Sequence, residues 1–269
     1  MLRAPSTLLT AVTRALEEVR SAGPLVQCLT NTVTVNLVAN TLLALGAAPA
    51  MADLPGEAGT LAGVADAVYI NLGTPGAEQR AGMLEAARAC DTLGRPWVLD
   101  PVAVGPLALR TALAAQLLEL RPTVVRGNAS EIRALAGTDG GGRGVDATHD
   151  VEDSLDAARA VAARTGGVVT VSGPVDLVTD GTTVVRVANG DPLLTRMTGG
   201  GCALGGIVAA FVGVHDDALE ATVAACGAYT VAAERAAQAA TGPGAFAVRL
   251  LDELTLLDAP TLAEAVRFA

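Results

Sequence analysis

Lysine is absent: every one of the 18 basic residues is arginine, set against 28 Asp and Glu for a formal charge of −10. That absence removes the Walker A lysine, Schiff-base chemistry and any catalytic ammonium. It also leaves no basic face for a phosphate backbone, so nucleic acid is not an expected partner. Aromatic residues are scarce at 2%, and a core must therefore be built from Ala, Val and Leu. No CxxC occurs among Cys28, Cys90, Cys202 and Cys226, which argues against a zinc site or redox pair and for reduced thiols in a cytoplasmic protein. Long hydrophobic runs are missing too. The longest, Cys202 to Val214, ends at His215-Asp216-Asp217, a buried helix rather than a membrane span. The first 20 residues carry Glu17 and Glu18 inside an amphipathic pattern, unlike a signal peptide.

What is present is 51% hydrophobic, with 30 glycines in 269 residues, and alternates in type. A surface helix is expected after Ser6, with Leu8, Val12, Leu16 and Val19 on one face. Apolar strands are expected at 25–29, 49–52, 67–72, 96–100, 123–126 and 167–172. Helices are expected between them at 33–45, 77–93, 109–120, 130–136 and 151–165. All-apolar strands separated by amphipathic helices indicate a mainly parallel sheet covered on both faces. Residues 176–179 and 182–187 flank Asp180-Gly181 and read as a hairpin with a type I′ turn. From Gly201 to Ala269 the pattern is helical. No linker divides the chain, so 1–269 reads as one α/β domain with a helical C-terminal third.

Ligands of open α/β sheets bind beyond the carboxyl ends of strands. Those ends carry Thr30-Asn31, Asn71-Leu72-Gly73-Thr74, Asp100-Pro101, Arg126-Gly127-Asn128 and Ser172-Gly173. Together they describe a polar cleft along one edge of the sheet. Asp100 and Glu131 are carboxylates of the number Mg²⁺ takes when it binds with phosphates. Asn128 and Glu131 also have the spacing of a helix cap and its reciprocal acid, and Asp100 before Pro101 also fits turn chemistry. Gly199-Gly200-Gly201-Cys202 opens an apolar helix, where backbone N–H groups and the helix dipole favour an anion and would favour a Cys202 thiolate. A flexible linker with a buried cysteine fits the same letters. Gly137 to Gly144 nearly spells a P-loop, but Arg143 and Gly144 occupy its decisive positions, so a mobile surface loop is expected. His149 and His215, each before an acidic residue, are expected to be solvated. Trp97 and Met83 are expected in the core.

With these segments in register from about Gly23 to about Ala240, the chain resembles the hydroxyethylthiazole kinase family of the ribokinase-like superfamily. The most specific pieces are Arg126-Gly127-Asn128-Ala129-Ser130-Glu131 and the Gly199-to-Cys202 run. The others are Leu29-Thr30-Asn31 with Asn36 and Asn40, Leu45 to Ala52, Asn71 to Thr74, Leu99 to Val102, and Ser172-Gly173 with Val178 to Gly181. Cysteine at 202, where most ribokinase-like kinases carry an aspartate base, points to the thiazole branch.

The resemblance implies a ribokinase-like fold and ATP- and Mg²⁺-dependent phosphorylation of a thiazole alcohol in thiamine biosynthesis. It implies that Met51, Gly199 and Asn31 contact the thiazole, and that Arg126, Asn128 and Ser172 bind ATP. Glu131 and Asp100 would organise Mg²⁺, and Cys202 with Gly199, Gly200 and Gly201 would serve the transfer. It also implies homotrimers with sites between subunits. The alternatives are a related pyrimidine or pyridoxal kinase, or a thiazole-binding regulator without catalysis. Three positions depart from the family pattern: Gln27 where His is common, and Ala103 and Gly200 where Gly and Thr are usual.

Overall fold

The computed structural model describes residues 5–138 and 151–269. Glycine-rich residues 139–144 and His149 therefore lie outside the described residues. An eight-stranded sheet organises the chain in the order β2-β1-β3-β4-β5-β6-β7-β8. Strands β1 (Leu25–Leu29), β2 (Ala48–Ala50), β3 (Ala67–Asn71), β4 (Trp97–Asp100), β5 (Val124–Asn128) and β6 (Val168–Ser172) run parallel. The last two, β7 (Asp176–Thr179) and β8 (Val184–Val187), pair antiparallel at one edge. Valine, isoleucine and leucine fill β3 to β6 because both faces of this parallel sheet are covered.

Alternation along the strands divides the core into two layers. On one face, Cys28, Tyr69, Val98 and Val124 meet helices α1 (Pro5–Ala22), α2 (Val35–Leu45), α8 (Gly200–Val212), α9 (Ala218–Ala239), α10 (Pro243–Leu256) and α11 (Ala259–Ala265). On the other, Leu29, Ile70, Leu99 and Val125 meet α3 (Ala58–Ala62), α4 (Ala77–Leu93), α5 (Ala108–Leu118), α6 (Ala129–Ala136) and α7 (Leu155–Thr165). Trp97 and Met83 are fully buried in this second layer, as expected. The mainly parallel sheet with helices on both faces and a helical C-terminal third is thus observed.

Several local expectations change. Strand β2 begins one residue earlier and ends at Ala50, leaving Met51 in the loop beyond it. The short helix α3 had no periodic signal over its five residues. The β7–β8 connection is not a two-residue type I′ turn. It spans Asp180 to Thr183, and only Gly181 has a positive φ, at 92°. The Asp180 carboxylate accepts from the Thr182 and Thr183 N–H groups at 2.8 and 2.6 Å and makes an Asx turn instead. Helix ends at Ala265, and Phe268 bridges to Val187 on the edge of the sheet. His215 is buried rather than solvated: Nδ1 and Nε2 lie 2.5 and 3.3 Å from the Glu18 and Glu220 carboxylates, tying α1 to α9. Among the described residues no helix is long and apolar enough to cross a membrane.

Two positions give tests. A Cβ on Gly82 of α4 would lie 2.2 Å from the Asp53 carbonyl oxygen. Helix propensity alone favours alanine by about 1 kcal/mol, whereas overpacking against fixed backbone costs about 1–3 kcal/mol. Gly82→Ala is therefore expected to lower the urea midpoint, and a raised midpoint would show that propensity dominates.

Asp176 opens β7 almost fully buried, its Oδ1 accepting the Gly173 N–H at 3.0 Å. Burial pushes its pKa from 3.8 up to about 6, against the opposing Gly173 hydrogen bond and Arg126 charge. A raised folded pKa gives stability that is present below about pH 4 and lost as pH rises through about 6. The loss is about 3 kcal/mol. Relative to wild type, Asp176→Asn should therefore gain stability between pH 4.5 and 7.5 in urea titrations. An offset that stays constant across that range would contradict the burial argument.

Candidate active site

Parallel register brings the polar strand ends together. Asn71 pairs with Asp100 across β3 and β4, and Asn128 pairs with Ser172 across β5 and β6. Arg126 lies two residues before Asn128 on β5, so both point to the same face.

Asp100 is the centre of this cluster and is fully buried. Its Oδ2 accepts from the Tyr69 hydroxyl and Asn71 Nδ2, both at 3.0 Å, and from an Arg126 guanidinium nitrogen at 3.4 Å. Its Oδ1 is buried with no hydrogen-bond partner. Burial raises the Asp100 pKa, while Arg126 and the hydrogen bonds oppose the rise. Burial alone would lower the Arg126 pKa, but the Asp100 and Glu131 charges outweigh it and hold the guanidinium charged. Arg126 Nε also donates to Ser172 Oγ at 3.3 Å.

Asn128 and Glu131 form the cap anticipated from their spacing. Asn128 Oδ1 accepts from the Glu131 N–H at 2.9 Å, and Glu131 Oε2 accepts from the Asn128 N–H at 2.9 Å. Glu131 Oε1 accepts from the Ala103 N–H at 3.0 Å. Ala103 takes a left-handed φ of 60°, so it adopts the conformation that glycine adopts without strain. Glu131 is buried, and burial followed by the Asp100 charge raises its pKa. This capping does not exhaust the lone pairs of the carboxylate.

The glycine run sits directly above the guanidinium. Gly199 caps α8 with φ 92°, where a Cβ would also lie 2.7 Å from the Thr34 methyl. A Cβ on Gly201 would lie 2.5 Å from an Arg126 nitrogen. The first helical bond joins the Ala203 N–H to the Gly199 carbonyl, so the N–H groups before it have no acceptor within the helix. Tyr229 donates to the Gly200 carbonyl at 2.8 Å and holds this turn from below. Cys202 Sγ accepts from Asn71 Nδ2 at 3.3 Å. The favoured thiolate expected from the helix field is not observed: burial first, and the Asp100 charge second, raise the Cys202 pKa.

Asn31 and Met51 lie toward the β2 edge. Asn31 Oδ1 accepts from the Val33 N–H at 3.0 Å, and its side chain packs over Gly73. Met51 follows β2 and is 37% exposed. Three side chains hold its loop. Gln27 Nε2 donates to the Ala52 and Ala58 carbonyls at 2.8 and 2.9 Å, and Gln79 Nε2 donates to Thr30 O and Asp53 Oδ2, both at 2.9 Å. Glu85 accepts from the Gly56 and Gly59 N–H groups. The Gln27 departure therefore replaces a titratable group with a crosslink to the loop that carries Met51. Sequence reasoning missed Gln79, Glu85, Tyr69 and Tyr229. Only for Tyr69 was a signal available: a hydroxyl in an apolar strand, two residues before Asn71 and therefore on its face.

The model of the hydroxyethylthiazole kinase family matches residues 16–259. A hydroxyethylthiazole kinase of Clavibacter sepedonicus is 56% identical over 254 residues, covering 94% of this chain and 92% of the relative. One from Leptospira interrogans is 48% identical over 242 residues, covering 90% and 91%. The solved hydroxyethylthiazole kinase protein of Pyrococcus horikoshii superposes with a TM-score of 0.89 at 37% identity, covering 97% of this chain and 98% of that one. A Bacillus subtilis pyridoxal kinase, at 19% identity and a TM-score of 0.57 over 78% of this chain and 91% of its own, shares the fold. The chain belongs to the hydroxyethylthiazole kinase family.

Proposed function

We propose that this protein transfers the γ-phosphoryl group of ATP to the primary alcohol of 4-methyl-5-(2-hydroxyethyl)thiazole. The observation that carries the reading is the seating of Gly201 on the Arg126 guanidinium, whose side chain is only 11% exposed. It puts fixed positive charge and the free N–H groups of the α8 first turn in one place. Phosphoryl transfer needs donors where charge develops, and its largely dissociative transition state depends on positioning more than on a strong base. Backbone N–H groups from Gly199 to Cys202 hold the transferring group. Arg126 and Ser172 bind the nucleotide phosphates beside them, with Asn128 fixing the turn that follows β5. Cys202, kept as a thiol by burial, stands beside the acceptor hydroxyl, which Met51, Asn31 and Gly199 orient through the thiazole.

The donor set fits a divalent cation. Among the described residues no cluster of three or more His, Cys, Asp or Glu forms a dedicated metal cage. Mg²⁺ with a nucleotide needs only one or two carboxylates, and Asp100 offers a buried oxygen with no partner. Asp100 and Glu131 would hold the ion, and when bound it supplies charge neutralisation to the phosphates.

The exposed apolar side chains Val33, Met51 and Leu54 follow adjacent strands at the β2 edge. They support a homotrimer in which a partner covers the thiazole side. The four buried, unpaired cysteines support a reducing, cytoplasmic setting.

Incubation with ATP, Mg²⁺ and the thiazole alcohol should yield a phosphorylated thiazole by mass spectrometry, with pyridoxal and pyrimidine alcohols poor substrates. Gly201→Val forces Arg126 aside and is expected to lower kcat by about 100-fold or more. Cys202→Asp should retain or raise kcat, because a carboxylate can accept the alcohol proton, which the buried thiol does not. Both variants working at the wild-type rate would remove the α8 turn from the mechanism.

A further inference from the structure

The chain has only two tyrosines, and both aim their hydroxyls at the transfer site: Tyr229 at the Gly200 carbonyl and Tyr69 at Asp100. Tyr69 is fully buried in the middle of β3, where a purely apolar side chain would satisfy the core. Instead its hydroxyl donates to Asp100 Oδ2 and accepts from Asn71 Nδ2 at 2.8 Å. Room for the ring comes from Gly205 in α8, where a Cβ would lie 2.5 to 2.7 Å from the ring and its hydroxyl. A glycine inside a helix costs about 1 kcal/mol relative to alanine. The helix thus gives up propensity to admit this ring.

All three donors to Asp100 reach Oδ2, and none reaches Oδ1. Rotation of the carboxylate would exchange the two oxygens, so one-sided donation selects which oxygen stays uncommitted. The donors are not equivalent. Arg126 makes the longest bond, at 3.4 Å, and in the phosphoryl-transfer reading it is shared with the nucleotide. The Asn71 amide has two hydrogens, with Tyr69 O, Asp100 Oδ2 and Cys202 Sγ all within reach. Its orientation is set by Asn71 Oδ1 accepting the Gly73 N–H at 2.8 Å. The Tyr69 hydroxyl has one hydrogen, and it goes to Asp100. It is therefore the donor to the carboxylate that no other acceptor shares.

We propose that Tyr69 is a positioning residue for phosphoryl transfer: its hydroxyl locks the Asp100 carboxylate so that Oδ1 is left for the divalent cation of the nucleotide complex. The inference rests on the function proposed above and goes beyond it by assigning a role to a residue that touches neither substrate nor metal.

Tyr69→Phe keeps the ring and removes only the hydroxyl. Calorimetric titration of the full-length protein with Mn²⁺ and a non-hydrolysable ATP analogue should show metal affinity weakened about 3- to 10-fold, the size expected for one buried hydrogen bond. The Mg²⁺ concentration giving half-maximal rate should rise by a similar factor, while KM for the thiazole alcohol stays within about twofold. In an Asp100→Asn background the same substitution should add nothing further to the metal readout, because Tyr69 acts through Asp100. Tyr229→Phe, which removes a comparable buried hydroxyl from Gly200, should leave the Mg²⁺ midpoint in place even if kcat falls.

A folded Tyr69→Phe protein with unchanged metal affinity would overturn the proposal. So would equal midpoint shifts in the two tyrosine variants. If Tyr69→Phe does not fold, wild-type protein carrying 3-fluorotyrosine supplies the test. Its two ¹⁹F resonances are assigned with Tyr229→Phe, and the Tyr69 signal must move when Mg²⁺ and the analogue are added. A stationary signal would refute the role. Absence of any phosphorylated product from wild type would instead count against the proposed function, and the Mn²⁺ binding comparison remains readable in that case.

Discussion

The ion pair between fully buried Asp100 and largely covered Arg126 is the constraint on which the rest of the site depends. Neither charge is tolerable alone in this interior: removing one partner of such a pair costs about 3–5 kcal/mol, because the other is stranded. Adjacent strands β4 and β5 bring the two groups together, and the sheet fixes their separation before any ligand arrives. Three features follow from that pairing. Asn71 and Tyr69 hydrogen-bond the same Asp100 oxygen, Ser172 Oγ accepts a hydrogen bond from Arg126 Nε, and α8 must begin with glycine where it passes over the guanidinium.

A protein with a formal charge of −10 and no lysine must still attract a triphosphate. It does so locally. One arginine is held charged by buried carboxylates, and a helix start contributes backbone N–H groups whose dipoles need no side chain. Glycine is then a requirement of close approach, since a side chain at 201 would occupy the guanidinium's space. Such a site supplies positioning and electrostatics, the contributions a dissociative phosphoryl transfer uses most. The thiol at 202 belongs to the same logic, because burial denies it the base strength such a transfer does not demand.

Much of this was legible in the letters because it is local. Apolar runs such as 67–72 and 96–100 read as strands covered on both faces, and the polar residues at their carboxyl ends, Asn71 and Asp100, point to a ligand edge. The Asn128–Glu131 cap and the glycine run before Cys202 are short-range patterns with a physical reading of their own. What stayed hidden is what depends on sequence-distant partners. Tyr69 looks like any strand residue until Asp100 and Gly205 stand beside it. His215 looks solvated until Glu18, almost 200 positions away, closes over it. Gln27 reads as the loss of an imidazole, and its crosslink to Ala52 and Ala58 exists only once β1 and the Met51 loop are adjacent. The letters leave Cys202 open between a thiolate and a buried thiol for a related reason. A helix start argues for charge, but the burial and the neighbouring Asp100 that oppose it come from elsewhere in the chain.

We propose that backbone N–H groups of the α8 first turn and the Asp100-paired Arg126 together perform the work a lysine does in other kinases. A crystal structure with Mg²⁺, a non-hydrolysable ATP analogue and the thiazole alcohol tests it most directly. In that complex γ-phosphate oxygens should accept from N–H groups between Gly199 and Cys202, with Arg126 in contact with the phosphates and the metal on Asp100 Oδ1. A bound triphosphate that leaves those N–H groups unengaged, with Arg126 touching only Asp100 and Ser172, would contradict it.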